Sequence, residues 1–291
     1  METEKIREYA CSSQNTSGFS EGIRSALHLE FPRSYTDPDA IVEIAKAVQA
    51  EKKSPLCLLP FCNTVEAEAF GAKINLSDGV FGPRPTGYAV HSVQELSSLP
   101  PLDFSCGRLA ANLEACRRLK SDGYRVAYAV SGFFSTMSCL MELNRLFLAW
   151  RKEPEAVRLA MDFLRTQDAR YFAEIKRAGA DFVSFADPAG SVSIIGPKYT
   201  RQAAEQYTAP LLREISPLLD GTFAVLLCPK TGYILLDTGL AKQHELDVEP
   251  GTGYVQACLD NLPHLHFAGQ SCVKNPEFSL KGGKLRTLEL V

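Results

Sequence analysis

Short apolar runs, each stopped by proline, glycine or cysteine and each followed by a stretch with helical spacing, recur along most of the chain. The runs at 55–61 (PLCLLPF), 124–130 (YRVAYAV), 181–186 (DFVSFA), 222–227 (TFAVLL) and 264–268 (HLHFA) are the clearest. An apolar run this short, bounded by breakers, predicts a strand buried on both faces. Between the runs lie helix signals. Asp37 and Pro38 start one at a cap and first turn; Leu109, Leu113, Cys116 and Leu119 form the stripe of a second; Gly179 stops a third that begins at Pro154. Strand and helix alternate without an antiparallel hairpin pattern in the core, which predicts right-handed crossovers and a parallel sheet. Seven or eight strands in this order favour an α/β fold of the (β/α)8 TIM type, one domain over residues 1–291. Further expectations are a strand at 26–31, one long helix at 133–150, and a last strand in the alternating tail 284–291. Residues 1–20 are polar and are expected to be frayed or loosely helical. The Gly-, Pro- and Ser-rich stretch 73–102 predicts a long excursion with short extended pieces, of the kind that serves as a lid or binding loop.

Composition excludes several classes. With a net charge of −3 and no Lys/Arg run, nucleic acid is not expected as a ligand. No apolar stretch approaches the roughly 20 residues that span a bilayer, and residues 1–18 lack the apolar core of a signal peptide, so no membrane association is expected. Nine cysteines without a CxxC pair argue against a disulfide framework and for a reducing, cytoplasmic location. No GxGxxG, P-loop or GxSxG pattern is present, which removes the best support for dinucleotide, nucleoside-triphosphate and serine-hydrolase chemistry.

Two strands end in thiols. The run 222–227 stops at Cys228 before Pro229, and the run 264–268 leads through Gly269 to Cys272. Strand ends are where α/β folds carry their chemistry, and two sulfurs meeting there suit a soft metal ion such as zinc. Plain packing is the competing account, since unpaired cysteine is among the most buried residue types.

The segment 59–72, LPFCNTVEAEAFGA, resembles the uroporphyrinogen decarboxylase superfamily, and within it the methylcobamide:coenzyme M methyltransferase branch. SGFFST at 131–136 is similar to the family's Gly-Pro-Phe-Thr turn, 179–199 (GADFVSFADPAGSVSIIGPKY) to its GAD…DP segment, and 224–232 to its His-x-Cys-Gly strand. The resemblance extends over about residues 24–272. It implies a (β/α)8 barrel with its site at the C-terminal mouth of the strands, here shortened or with one modified βα unit after Glu249. It further implies zinc held by His-x-Cys and a later Cys, and a methyl group passed from a methylated corrinoid protein to a small thiol. Zinc coordination deprotonates a thiol that is a weak nucleophile at neutral pH.

Carried onto this chain, Cys228 matches the Cys of His-x-Cys, Cys272 the later Cys, and Glu249 an acidic position able to act as a further ligand. Leu226 stands where the His belongs and Pro229 where Gly is usual. Zinc generally takes at least three protein ligands. Cys62, at another strand end, is one replacement; His264 or His266 is another, the two sharing a face. Asp187 and Glu66 are the candidate catalytic carboxylates, with loop capping and solvation as their alternatives. Arg84, Asp187 and Asn63 are candidates to hold the corrinoid or an anionic group, Arg84 by its planar fork. Two other functions remain open: a corrinoid-binding barrel without turnover, and, ranked below it, a porphyrinogen decarboxylase, whose N-terminal Arg-Gln-Ala-Gly-Arg signature is absent.

Overall fold

The computed structural model describes residues 6–9, 11, 18–76 and 79–291. Nine strands are present among them: β1 (Cys57–Leu59), β2 (Lys73–Asn75), β3 (Arg84–Gly87), β4 (Val126–Ser131), β5 (Phe182–Ala186), β6 (Ala224–Leu227), β7 (Ala241–Asp247), β8 (Phe267–Ala268) and β9 (Lys284–Leu290). Seven form one sheet in the order β1-β4-β5-β6-β8-β9-β7, while β2 and β3 pair as a separate antiparallel hairpin. The first five strands of that order are parallel, with register such as Tyr128 opposite Val183 and Val225 opposite Phe267. Their C-terminal ends therefore lie along one edge, where a site in an α/β fold is placed.

The architecture is α/β of the TIM type with its last part modified. Beyond β8 the sheet turns antiparallel: β9 inserts between β8 and β7 and pairs with both. The expected absence of antiparallel pairing is corrected here, and the reason lies in composition. β7 reads AKQHELD, mostly exposed, and borders the sheet only through β9, whose Leu285 and Leu288 are buried. β1 and β7 are the two edges of the hydrogen-bonded order.

Period-2 alternation along the parallel strands supplies two apolar faces. Cys57, Tyr128, Val183, Phe185, Val225 and Leu227 belong to one, covered by the helices Pro38–Glu51, Gly107–Ser121, Pro154–Arg177 and Ala209–Ile215. Leu56, Ala127, Phe182, Ala224 and Leu226 belong to the other, covered by the helix Tyr254–Asp260 and by Leu262, Val273, Leu280 and Leu285.

Three local expectations change. Residues 26–31 are not a strand. Ser20 accepts from the Ile23 N–H and starts a helix, Glu21–Ala26, so a helix cap outweighs the alternating apolar pattern that follows. The stretch 133–150 divides into Phe133–Leu140 and Leu143–Lys152, because Met141 and Glu142 are extended. At the amino end, Ile6 is buried and residues 6–9 are docked, against the expected fraying. The excursion 73–102 does hold short extended pieces, the β2–β3 hairpin. No helix among the described residues is long and apolar enough to cross a membrane.

Candidate functional site

Each parallel strand delivers chemistry to the same edge. Cys62 follows β1, Ser131 ends β4 and Gly132 follows it, Asp187 follows β5, Cys228 follows β6 and Cys272 follows β8.

Around Asp187 the fit is tight. Its carboxylate accepts the backbone N–H groups of Phe134 (3.0 Å) and Ser135 (2.8 Å) and the Ser135 hydroxyl (2.7 Å). It thereby caps the helix Phe133–Leu140 from the neighbouring strand, at the positive end of the helix dipole. A Cβ on Gly132 would come within 2.5 Å of the Asp187 Cβ, and one on Gly190 within 2.8 Å of its Oδ2, so both glycines are needed for the approach. Burial raises the Asp187 pKa, and the Ser135 and Phe134 hydrogen bonds hold the rise back.

Glu66 lies in the helix Val65–Ala69, buried to 2% exposure. Oε1 accepts the Ser131 N–H at 3.2 Å, while Oε2 is buried without a partner. Burial accordingly raises the Glu66 pKa against the pull of the Ser131 N–H and the Arg108 charge. Below the pH at which an unfolded-chain glutamate ionises, both states hold the proton and the burial costs nothing. Above it the unfolded chain releases the proton more readily, so stability falls with rising pH until the raised folded pKa is passed. Glu66→Gln keeps an acceptor for Ser131 and removes the titration. Urea unfolding is expected to show this variant more stable than the parent at pH 7.5 by about 1 kcal/mol or more, with no such gain at pH 4. An equal difference at both values would exclude the titration as its cause.

Cys62 is engaged by a buried arginine that sequence reasoning missed. Arg108, 4% exposed, donates to the Cys62 sulfur (3.2 Å), the Thr64 hydroxyl (3.0 Å) and the Thr64 carbonyl (3.2 Å), and pairs with Glu68. A signal was available: Arg108 precedes Asn112 and Cys116 by helical steps on a buried face, where an unpaired charge is not tolerated. A second buried group, Asp168, accepts from Tyr207, and the Tyr171 hydroxyl donates to that of Tyr128 at 2.8 Å. Burial raises the Asp168 pKa well above the carboxylate range.

Cys228 and Cys272 are both half-buried. Burial pushes Cys228 up to about 11; backbone N–H groups of Lys230 and Thr231 hold the rise back, and the Cys272 charge adds to it. Burial also raises Cys272, opposed by the Lys274 N–H and the Lys274 charge. Two soft sulfurs with N–H groups turned on them have the donor chemistry of a zinc thiolate site. Among the described residues, no group of three or more His, Cys, Asp or Glu side chains is gathered to hold an ion.

The other candidates lie apart from this pair. Glu249 is exposed just past β7, its carbonyl accepting the Thr252 N–H. His264 and His266 are both exposed and precede β8, at the opposite end of the strand from Cys272, with Leu265 between them fully buried. Leu226 is 1% exposed in the second apolar cluster. Asn63 is exposed in the bend after β1, and Arg84 is exposed on the β2–β3 hairpin with its guanidinium 5.0 Å from the Phe81 ring centre.

A parallel sheet of the TIM type with acidic and thiol side chains at its C-terminal edge defines a class of barrel proteins with strand-end chemistry. Within that class the chain belongs to the uroporphyrinogen decarboxylase (URO-D) family, whose pattern it matches over residues 3–241. It is 24% identical over 226 residues to the methylcobamide:CoM methyltransferase MtaA of Methanosarcina barkeri, covering 77% of this chain and 66% of that one. To the methylcobamide:CoM methyltransferase MtbA of Methanosarcina acetivorans it is 22% identical over 241 residues, covering 79% and 70%. Its fold is shared with a methyltransferase from Methanosarcina mazei at a TM-score of 0.63, with 20% identity, 76% of this chain and 66% of the other covered. The chain thus spans somewhat under two thirds of the length of the MtaA relative.

Proposed function

We propose that the protein is a zinc-dependent methyltransferase that moves a methyl group from a methylated corrinoid protein to a small thiol or similar acceptor. The observation that carries the reading is the placement of Cys228 and Cys272 at adjacent parallel strand ends, each with backbone N–H groups turned on its sulfur. Kinship with methylcobamide:CoM methyltransferases supports the reaction type. Cys228 and Cys272 are the residues that would hold zinc, which when bound supplies deprotonation of the acceptor thiol near neutral pH. Glu66 is proposed to keep a proton at Oε2, the oxygen without a partner. Asp187 is proposed as a positioning residue that holds the helix Phe133–Leu140 at the mouth. The exposed Asn63 and Arg84 are proposed contacts for the corrinoid or its protein, and Glu249 and Cys62 as outer groups of the site.

Incubation with methylcobalamin and coenzyme M, followed by the cobalamin absorbance, tests the reading; the expected result is acceptor-dependent demethylation. A second reading, a corrinoid-binding barrel without turnover, draws on Leu226, which replaces the ligand histidine with a packed apolar side chain. Tight binding of methylcobalamin without demethylation by any thiol would favour it. Decarboxylation of a porphyrinogen is less well supported, because the donors of Arg108 are taken up by Cys62, Thr64 and Glu68.

A further inference from the structure

A cleft of about 700 Å³ opens beside the C-terminal end of β8, walled by the loop that follows Cys272 and by the strands β9 and β7. Cavities of about 300–1,000 Å³ are of the size that holds a small molecule. The URO-D pattern matches up to residue 241, and every residue that lines the cleft lies at 245 or beyond. Neither Cys228 nor Cys272 lines it, so the cleft is separate from the thiol pair.

Its walls are fixed by backbone hydrogen bonds rather than left as free loop. The Phe278 carbonyl accepts the Tyr254 N–H (2.9 Å), and the two rings meet edge-on at 6.3 Å. The Leu280 N–H donates to the Thr252 carbonyl (2.8 Å), and the Leu280 carbonyl accepts the Gly251 N–H (3.0 Å). The Gly283 carbonyl accepts the Val248 N–H (3.0 Å). Lys281 is thereby held between two pinned positions. On the other wall, β9 presents Lys284 and Arg286 on its exposed face, while Leu285 between them is fully buried. Gln270 Oε1 accepts the Arg286 N–H at 2.9 Å, which ties the end of β8 to β9 and leaves the Gln270 amide nitrogen as a donor.

The cations of this preformed cleft are not spent on the protein. The Arg286 Nε lies 3.9 Å from Glu245 Oε1, beyond hydrogen-bond range, and the guanidinium makes no hydrogen bond among the described residues. Lys281 is exposed and makes no ion pair among them either; Lys284 pairs with Asp247. A guanidinium with open donors matches the paired oxygens of a phosphate or carboxylate. Glu245 and Glu277 also line the cleft, which leaves one excess positive charge and disfavours a polyanion. Phe278 supplies an apolar surface next to the charged groups. We propose that the cleft binds a small organic anion, its phosphate or carboxylate head held by Arg286, Lys281 and the Gln270 amide and its apolar body laid on Phe278.

Binding of simple probes tests the site without reference to methyl transfer. The full chain is titrated by isothermal calorimetry with phenyl phosphate, benzoate and inorganic phosphate at low ionic strength, where exposed charges are least screened. At least one aromatic probe is expected to bind with a Kd of about 1 mM or tighter, and the tighter of the two identifies the head group. Inorganic phosphate, which leaves Phe278 uncovered, is expected to bind about 10-fold more weakly than phenyl phosphate. Arg286→Gln is expected to weaken the bound aromatic probe by about 10-fold or more and Lys281→Gln by about threefold, with circular dichroism unchanged because both side chains are exposed. Lys242→Gln, on the exposed face of β7 and outside the cleft, is expected to change binding by less than about twofold. Absence of binding by both aromatic probes at about 10 mM would overturn the proposal, as would equal affinity in Arg286→Gln and the parent. So would a Lys242→Gln loss as large as that of Arg286→Gln, since the attraction would then belong to the whole surface.

Discussion

Replacing Cys228 by serine is expected to lower kcat/KM for methyl transfer by about 10³-fold or more, the scale on which loss of a group acting in the transition state is felt. Cys228 is the first residue after β6 and the cap of the helix Pro229–Asp237, so its sulfur is held by two regular elements rather than by a loop. Its carbonyl accepts the Gly232 N–H and its own N–H donates to the Phe185 carbonyl, and neither bond involves the side chain. Serine keeps both, and it keeps an acceptor for the Lys230 and Thr231 N–H groups. Chemical denaturation is therefore expected to shift by under about 1 kcal/mol. The combination of lost turnover and retained stability assigns the sulfur to the reaction. Retained turnover within about threefold of the parent would remove Cys228 from the mechanism.

Asp187→Ala is expected to act in the opposite way, on stability first. The substitution removes three hydrogen bonds and leaves the N–H groups of the buried residues Phe134 and Ser135 without their acceptor. Orphaned buried donors cost about 1–3 kcal/mol each, so the midpoint of urea unfolding is expected to fall by an amount equal to about 3–5 kcal/mol. Asp187→Asn keeps one acceptor oxygen and should lose roughly half as much. If Asp187→Ala unfolds at the parent's denaturant concentration, the capping account is wrong. A loss of turnover beyond the loss of folded protein would reveal a direct role besides positioning.

Much of the parallel half of the fold could be read in advance. Its strands are apolar runs cut by Gly, Pro or Cys, so both their existence and their ends are written in residue type, and Asp187, Cys228 and Cys272 follow from those ends. Contacts between distant positions carry no such mark. Arg7 meets Asp237 across 230 positions, and nothing periodic in METEKIREYA announces it. Arg108 meets Cys62 across 46 positions, and its only trace is a charge on a face that must be buried. The pairing of β7 with β9 was equally hidden. AKQHELD has strand alternation but little that is apolar, since a border strand packs on one side only. The histidines offered as substitutes for the missing ligand failed for a simpler reason: a strand has two ends, and sequence order already put them at the wrong one.

The placement of β9 carries a consequence for how the molecule assembles. β7 comes earlier in the chain but has no partner until the strand 37 positions further on slips in beside it, from Asp247 opposite Lys284 outward. In the interval β7 is a lone ribbon with open N–H and C=O groups, the kind of surface that recruits strands from other molecules. Lys242, Glu245 and Asp247 line that ribbon, and such charges act as gatekeepers against association between chains. The polarity that made β7 hard to foresee is thus what lets it wait safely for its neighbour.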